Sequence, residues 1–290
     1  MFFQLSAATL RVSTPLIFAA LGGLLSERSG VINIALEGLM LIGAFGAAVG
    51  TLVTHSPWLG SVCGMGAGAA LAALYGLFVI RLRANQIVAG MALNMLALGL
   101  TPFLCKMFYD VTGSTPAIAA PERFHSAPLW LSWVLVALCW VGLKQTPAGL
   151  WLTFAGEHPE ALEAAGIRVN RVRWAAVLMS GALAGMGGAS LSVYLSSSFS
   201  RNMTAGRGFM ALAALIFGKW RPVPAALACL LFGFADAAQM RLQGATLWGG
   251  KPIPVQFIQI LPYLVTILVL AGVVGRSRAP KALGRPFPGG

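Results

Sequence analysis

The chain has 290 residues, of which 58% are hydrophobic and only 10% are charged, and its formal net charge is +12. A soluble globular protein has roughly 25% charged residues, so this composition excludes a soluble domain and indicates a polytopic membrane protein. The basic residues flank apolar runs instead of forming a separate basic face, which argues against nucleic-acid binding and makes them determinants of membrane topology.

The apolar segments, taken in chain order, predict the fold. A helix of about 20 apolar residues spans the hydrocarbon core. The fifth and seventh segments are shorter and could be tilted spans, or in the seventh case a half-helix that enters from one side. The predicted segments are residues 4–25, 33–53, 58–80, 86–109, 128–143, 174–196, 203–217, 223–240 and 255–274. We therefore expect an all-α polytopic membrane protein of about nine transmembrane or half-membrane helices. It forms one domain, residues 1–290, because the intervening polar segments are too short to bury another core.

The basic residues predict the orientation. When the nine segments are threaded alternately, most Lys and Arg residues fall on one side of the membrane, and only Arg123, Arg201 and Lys251 fall on the other. The positive-inside rule then places loop 144–173 and the basic tail 275–290 in the cytoplasm, and the N-terminus in the periplasm. The first apolar run has no charged n-region and no small-residue cleavage site, so we expect it to be retained as a span.

Two segments separated by 170 residues resemble each other, and each follows a polar break in the apolar pattern. We interpret them as an inverted pseudo-repeat, because they run in opposite directions in the threading and because interrupted helices in inverted repeats form the pathway of many transporters. The matching pairs are Ala35 with Ala205, Gly38 with Gly208, Met40 with Met210, and Ala44 with Ala214.

Charged and amide side chains within these segments are the candidates for the pathway. Glu37 and Arg207 occupy matching positions, and a charge in the membrane costs about 2.5 to 3.5 kcal/mol on the insertion scale, so it usually faces a cavity or a partner. They could contact a substrate, or they could form a structural ion pair. Asn94, Asp236 and Gln239 likewise either form hydrogen bonds between helices or bind the substrate in the pathway.

The loop between the fifth and sixth segments contains a pattern typical of a short helix. Pro159 suits the first turn, Glu160 and Glu163 suit the positive end of the helix dipole, and Gly166 suits the C-terminal cap. The pattern predicts a helix over residues 159–165 that a membrane protein could present to a soluble partner. An ordinary solvated loop is the alternative.

Motifs for catalysis are absent from the sequence. The nearest match to a phosphate-binding loop is Gly218-Lys219-Trp220, which lacks the required glycine and hydroxyl residues, so ATP would have to bind another subunit. The histidines lie in separate loops and the cysteines lie singly in apolar runs, which predicts neither an enzyme nor a metal site. A proton- or sodium-driven carrier is the alternative, but only Glu37 and Asp236 could form its acidic relay.

Four stretches resemble a known family. They are LLSERSGVINIALEG at 24–38, NQIVAGMALN at 85–94, GEHPEALEAAG at 156–166, and NMTAGRGFMALAA at 202–214 running on to Trp220. Their order and spacing resemble the permeases of bacterial ATP-binding-cassette importers for branched-chain amino acids, ribose and related sugars, and in particular the shorter permease of nucleoside importers.

The resemblance implies an inner-membrane permease that works with three partners and binds no cofactor or metal itself. The three partners are a second permease, a cytoplasmic ATPase that binds ATP and magnesium, and a periplasmic or lipid-anchored substrate-binding protein. The segment 159–165 would couple to the ATPase, and His158 departs from the Asn that is frequent in the family. The implied coupling residues are Pro159, Glu160, Glu163, Ala164 and Gly166. The candidate pathway residues are Asn33, Glu37, Asn94, Arg207 and Phe209. The substrate would be a nucleoside or, alternatively, a simple sugar of the ribose type.

Overall fold

The computed structural model describes residues 2–242, 260 and 279–287. Within them the chain is helical except for connecting segments and one isolated antiparallel bridge between Ser114 and Ser200. The helices are α1 (Phe2–Arg28), α2 (Leu36–Thr54), α3 (Pro57–Gly76), α4 (Gln86–Tyr109), α5 (Ala127–Gln145), α6 (Pro147–Glu157), α7 (Pro159–Ala164), α8 (Val169–Ala189), α9 (Arg207–Phe217) and α10 (Pro222–Leu242). π-Helical turns extend α3 to Arg81 and α8 to Leu195.

Most of the predicted segments are confirmed as helices. Seven helices of the described part are long and apolar enough to cross a membrane, and they coincide with the first six predicted segments and the eighth. The seventh corresponds to α9, whose 11 residues extend for about 16 Å at 1.5 Å per residue, so it is a half-helix. The ninth, residues 255–274, lies outside the described residues.

Helix α6 is a departure from the sequence prediction, which treated residues 144–173 as a polar loop. Thr146 caps its N-terminus by accepting a hydrogen bond from the Gly149 amide at 3.2 Å, and Pro147 occupies the first turn. Gly149 packs directly on the backbone of α5 at Gly142 and Leu143, where a larger side chain would clash. The loop therefore consists of α6, α7 and the first turns of α8.

The centre of the molecule is formed by α1, α2 and α8. About four fifths of the residues in their apolar windows are buried, whereas only 28% are buried in α4 and 17% in the α5 span. Glycines permit the closest crossings, since a Cβ at Gly43 or Gly68 would collide with the main chain of Gly185 or Gly181. The small residues of α3 and α8 therefore serve packing within the chain, while α4 and α5 present apolar side chains outward.

An extended segment after α8 leads into the half-helix. It runs beside the loop that follows α4, with the Arg201 amide bonded to the Gly113 carbonyl at 2.6 Å and the Phe199 amide bonded to Thr115 Oγ1 at 3.0 Å. The Phe199 ring packs edge-on against Phe45 of α2. These contacts fix the point from which the chain returns into the helical core to begin α9.

Candidate functional site

In the break between α1 and α2, residues 29–35, the amides of Ser29, Gly30 and Val31 bond to carbonyls of the last turn of α1, but such helical hydrogen bonds stop at Ile32. Side chains of the surrounding helices replace them: Gln86 Oε1 accepts from the Ile32 amide at 2.8 Å, and the Tyr75 hydroxyl donates to the Ile32 carbonyl. Non-helical backbone inside a membrane protein is tolerated where the protein supplies such partners. The break is therefore a specifically held feature of the fold.

Asn94 and Asn33, two of the predicted pathway residues, also hold this break, Asn94 from α4 and Asn33 from within the break itself. Asn94 Nδ2 donates to the Ile34 carbonyl at 2.9 Å, and its Oδ1 accepts from the Gly38 amide at 2.8 Å in the first turn of α2. Asn33 Nδ2 donates to Ser180 Oγ at 2.8 Å, while its buried Oδ1 has no partner among the described residues. Both asparagines are buried and connect α4 and α8 to the interrupted helix.

Glu37 joins the two interrupted helices, which are α1 with α2 and α8 with α9. Its Oε1 accepts from the Gly206 amide at 2.8 Å and its Oε2 accepts from the Gly208 amide at 2.6 Å. A carboxylate at this position satisfies free amides at the N-terminus of α9 and interacts favourably with the helix dipole. A Cβ at residue 208 would lie 2.5 Å from the main-chain nitrogen and Cα of Glu37. Glycine is therefore required where α9 meets α2.

The two helices run in opposite senses from this junction. Helix α9 leads toward the C-terminal end of α1, where Trp220 Nε1 donates to Glu27 Oε2 at 2.6 Å. Helix α2 starts from that end of α1 and runs away from it, so that Phe45 reaches the extended segment at Phe199. This arrangement is what the inverted pseudo-repeat predicts.

Glu37 and Arg207 are held separately and do not pair with each other. Arg207 Nη2 lies 3.8 Å from Asp236 Oδ2 of α10, and Nη1 donates to the Met203 carbonyl at 3.2 Å. Sequence reasoning identified both charges but not their partners, because an amide–carboxylate contact between helix ends leaves no signature in the residue types. Phe209 follows on α9 and is 48% exposed.

The predicted short helix of the loop is α7, which ends at Ala164, one residue before the predicted end. The Gly166 amide bonds to the Glu163 carbonyl at 2.8 Å, and the Ile167 amide bonds to the Leu162 carbonyl at 3.2 Å. With Gly166 at φ +81°, this is a Schellman cap. The glycine position in the sequence thus specified the end of the helix.

Among the described residues, Leu162 is the buried side chain of helix α7 and anchors it. Leu162 is buried against Ala155 and Val169, whereas Glu160, Glu163 and Ala164 are exposed. Most of the surface of α7 therefore faces outward, while the cap fixes the end of the helix. A partner protein can bind such a surface.

The segment 279–287 lies beside α7. The sequence did not predict this contact, because the basic residues of the tail indicated only the membrane topology. The Ala282 amide bonds to the Gly156 carbonyl at 2.8 Å, and the Gly284 amide bonds to the Gly30 carbonyl at 3.0 Å. Between α7 and this segment is a cavity of about 730 Å³ that has Glu160, Lys281 and Arg285 on its wall. The exposed surface of α7 thus continues onto the tail.

Comparison with known proteins places these features in context. The family described as the permease component of branched-chain amino acid transport systems matches residues 5–270. The guanosine ABC transporter permease protein NupQ of Bacillus subtilis is 39% identical over 97% of this chain and 95% of its own length. The nucleoside ABC transporter permease protein NupC of Lactococcus lactis is 40% identical over 94% and 92%. The putative glucose ABC transporter permease protein TsgC13 of Haloferax volcanii is 34% identical over 94% and 92%.

Proposed function

Because the chain belongs to the family of permease components of branched-chain amino acid transport systems, we propose that it is the permease subunit of an ATP-driven nucleoside importer in the bacterial inner membrane. The observation that carries this proposal is its similarity, over nearly the full length, to two relatives named as guanosine and nucleoside permeases. ATP and magnesium bind a separate ATPase subunit, and this chain provides membrane passage.

The coupling surface for that ATPase is α7 together with its cap. Pro159, Glu160, Glu163, Ala164 and Gly166 form it, and the exposure of the two glutamates and of Ala164 supports this assignment. The Schellman cap fixes the end of α7, and the buried Leu162 attaches the helix to α6 and α8. In the orientation that the positive-inside rule predicts, loop 144–173 and tail 275–290 are cytoplasmic, and the N-terminus is periplasmic.

A second permease subunit, different from this chain, covers part of the outward apolar surface. The low burial of α4 and α5 supports this, since exposed side chains such as Met95, Phe103 and Trp130 can contact either a subunit or lipid. A substrate-binding protein, periplasmic or lipid-anchored, docks on the opposite side from α7, near the loops that precede α5 and α9.

The pathway passes the junction of the interrupted helices. Asn33, Glu37 and Asn94 shape it by holding the two breaks, while Arg207 and Phe209 at the start of α9 border it. Nucleosides are uncharged at neutral pH, so amides and an exposed aromatic ring suit them better than free charges. The engagement of Glu37 with amides and of Asp236 with Arg207 also disfavours an acidic relay for an ion-coupled carrier.

A simple sugar is the second candidate substrate, because the relative TsgC13 is named as a putative glucose permease at 34% identity. Pentoses and nucleosides share hydroxyl groups that the same side chains could bind. The two nucleoside-named relatives are more similar to this chain, so the nucleoside is the preferred substrate.

Uptake of radiolabelled adenosine, uridine and ribose by proteoliposomes tests the proposal. The liposomes would contain this chain with its co-purifying permease and ATPase, and the binding protein would be added outside. We expect ATP-dependent nucleoside uptake that other nucleosides inhibit and ribose does not. Uptake of ribose alone would move the substrate to simple sugars, and uptake that requires a proton gradient but no ATP would overturn the importer assignment.

A further inference from the structure

Arg173 in the second turn of α8 is a buried cation that the proposed function does not use. Only 2% of the residue is exposed. Its guanidinium donates to three main-chain carbonyls: Nε to Ser29 at 3.1 Å, Nη2 to Ala155 at 3.3 Å, and Nη1 to Arg285 at 3.0 Å. Within the described residues it forms no ion pair. The side chain therefore joins three segments that are distant in sequence.

The chemistry of this contact explains why an arginine occupies the position. Ser29 follows the last residue of α1, and Ala155 lies in the last turn of α6, so both carbonyls belong to the negative ends of helix dipoles. A planar guanidinium can donate in several directions at once, which the single ammonium of a lysine does less well. A buried charge must be compensated, and here main-chain carbonyls compensate it.

The three segments also contact one another directly around this guanidinium. Gly30 has φ +95°, and a Cβ there would lie 2.9 Å from Arg173 Nη2. The amides of Ala282 and Gly284 bind the carbonyls of Gly156 and Gly30, so the tail crosses from α6 to the break. Removing the tail would remove one hydrogen-bond acceptor of Arg173, the Arg285 carbonyl, and both of these main-chain hydrogen bonds.

The position of this cluster connects the two functional regions. Helix α6 ends at Glu157, and only His158 separates it from α7. Ser29 and Gly30 begin the break before α2, whose first turn holds the start of α9 through Glu37. A continuous series of contacts therefore runs from α7 through α6, Arg173 and the segment 279–287 to the break before α2.

We propose that Arg173 and the segment 279–287 form the link that transmits movement of α7 to the break before α2. Arg173 is a positioning residue in this link, since it acts through the three segments that it holds. The inference rests on the proposed function, in which an ATPase moves α7.

The test compares Arg173→Gln with Arg171→Gln, an exposed arginine in the preceding turn of the same helix. Both variants are purified as complete complexes with the second permease and ATPase and reconstituted with the binding protein. The measured quantity is nucleoside transported per ATP hydrolysed per assembled complex, which a loss of folded protein alone does not change. We expect Arg173→Gln to lower this ratio about tenfold, as the loss of charge-assisted hydrogen bonds suggests, with ATPase binding retained. Arg171→Gln should keep the wild-type ratio.

A deletion of residues 279–290 gives a second measurement in case Arg173→Gln does not assemble. It leaves Arg173 in place, and we expect the same fall in the ratio. A wild-type ratio in either the assembled Arg173→Gln complex or the deletion complex would overturn the link. Failure of the wild-type complex to show any ATP-dependent uptake would instead overturn the proposed function.

Discussion

At the scale of single residues, the junction depends on a carboxylate that binds backbone amides. In Glu37→Gln one carboxylate oxygen becomes an NH2 group that faces an amide donor, so at least one of the two hydrogen bonds is lost. We expect the variant to lose about 1–3 kcal/mol of stability, the cost of a buried group without its partner, and to lose uptake with it. Thermal unfolding in detergent measures the first effect.

The control for this variant is Glu122→Gln. Glu122 also accepts a hydrogen bond, from His55 at 2.7 Å, but the His55 side chain is 74% exposed, and pairs on the surface contribute little. Equal loss of stability in both variants would contradict a special role for Glu37.

The glycine facing Glu37 gives an independent test of the junction. In Gly208→Ala the new methyl group would lie 2.5 Å from main-chain atoms of Glu37, which no side-chain rotation can relieve. We expect lower thermal stability and lost uptake. Gly66→Ala is the matched control, since nothing lies within 4 Å of its Cβ, and alanine is favoured over glycine in a helix by about 1 kcal/mol. Similar melting temperatures for the two variants would show that α9 does not depend on this close approach.

At the scale of elements, sequence patterns predicted what is determined locally. Hydropathy located the spans, and the Pro159 and Gly166 signals located α7, because length, apolarity and cap residues act within a few positions. The sequence did not predict α6, whose apolar residues follow the polar end of α5 at Lys144 and Gln145 and the bend at Thr146. Nor did it predict the partners of Glu37 and Arg173, because these are main-chain groups of remote segments that only the packed fold brings together.

The cap of α7 yields a graded prediction. Gly166→Ala has space for its methyl group but must adopt φ +81°, at a cost of about 1–2 kcal/mol. Gly166→Pro additionally cannot adopt this φ and loses the amide that binds Glu163. We expect uptake to fall from wild type to Ala to Pro, while membrane insertion stays normal because α7 lies outside the spans. Full uptake by the proline variant would remove α7 from the coupling mechanism.

A charge reversal on α7 tests the same element without changing its backbone. Glu160→Lys places a cation at the positive end of the helix and on the surface proposed for the ATPase, so we expect ATPase co-purification and uptake to be lost together. Lys281→Glu is a useful comparison, since Lys281 faces the same cavity from the tail. Retained ATPase binding and normal uptake in Glu160→Lys would assign the ATPase to another surface.

At the scale of the whole molecule, the question is what supplies the energy for the proposed transport. The acidic groups near the junction are engaged, Glu37 by amides and Asp236 by Arg207, which leaves neither free for an ion relay. We therefore expect the purified chain alone in proteoliposomes to neither hydrolyse ATP nor accumulate nucleosides, with or without an imposed proton gradient. Adding the second permease, the ATPase and the binding protein should create uptake that collapses when ATP is omitted and persists when the gradient is dissipated. Gradient-driven uptake by the chain alone would mean that Asp236 or Glu37 exchanges protons during transport, and the division of labour among subunits would then be wrong.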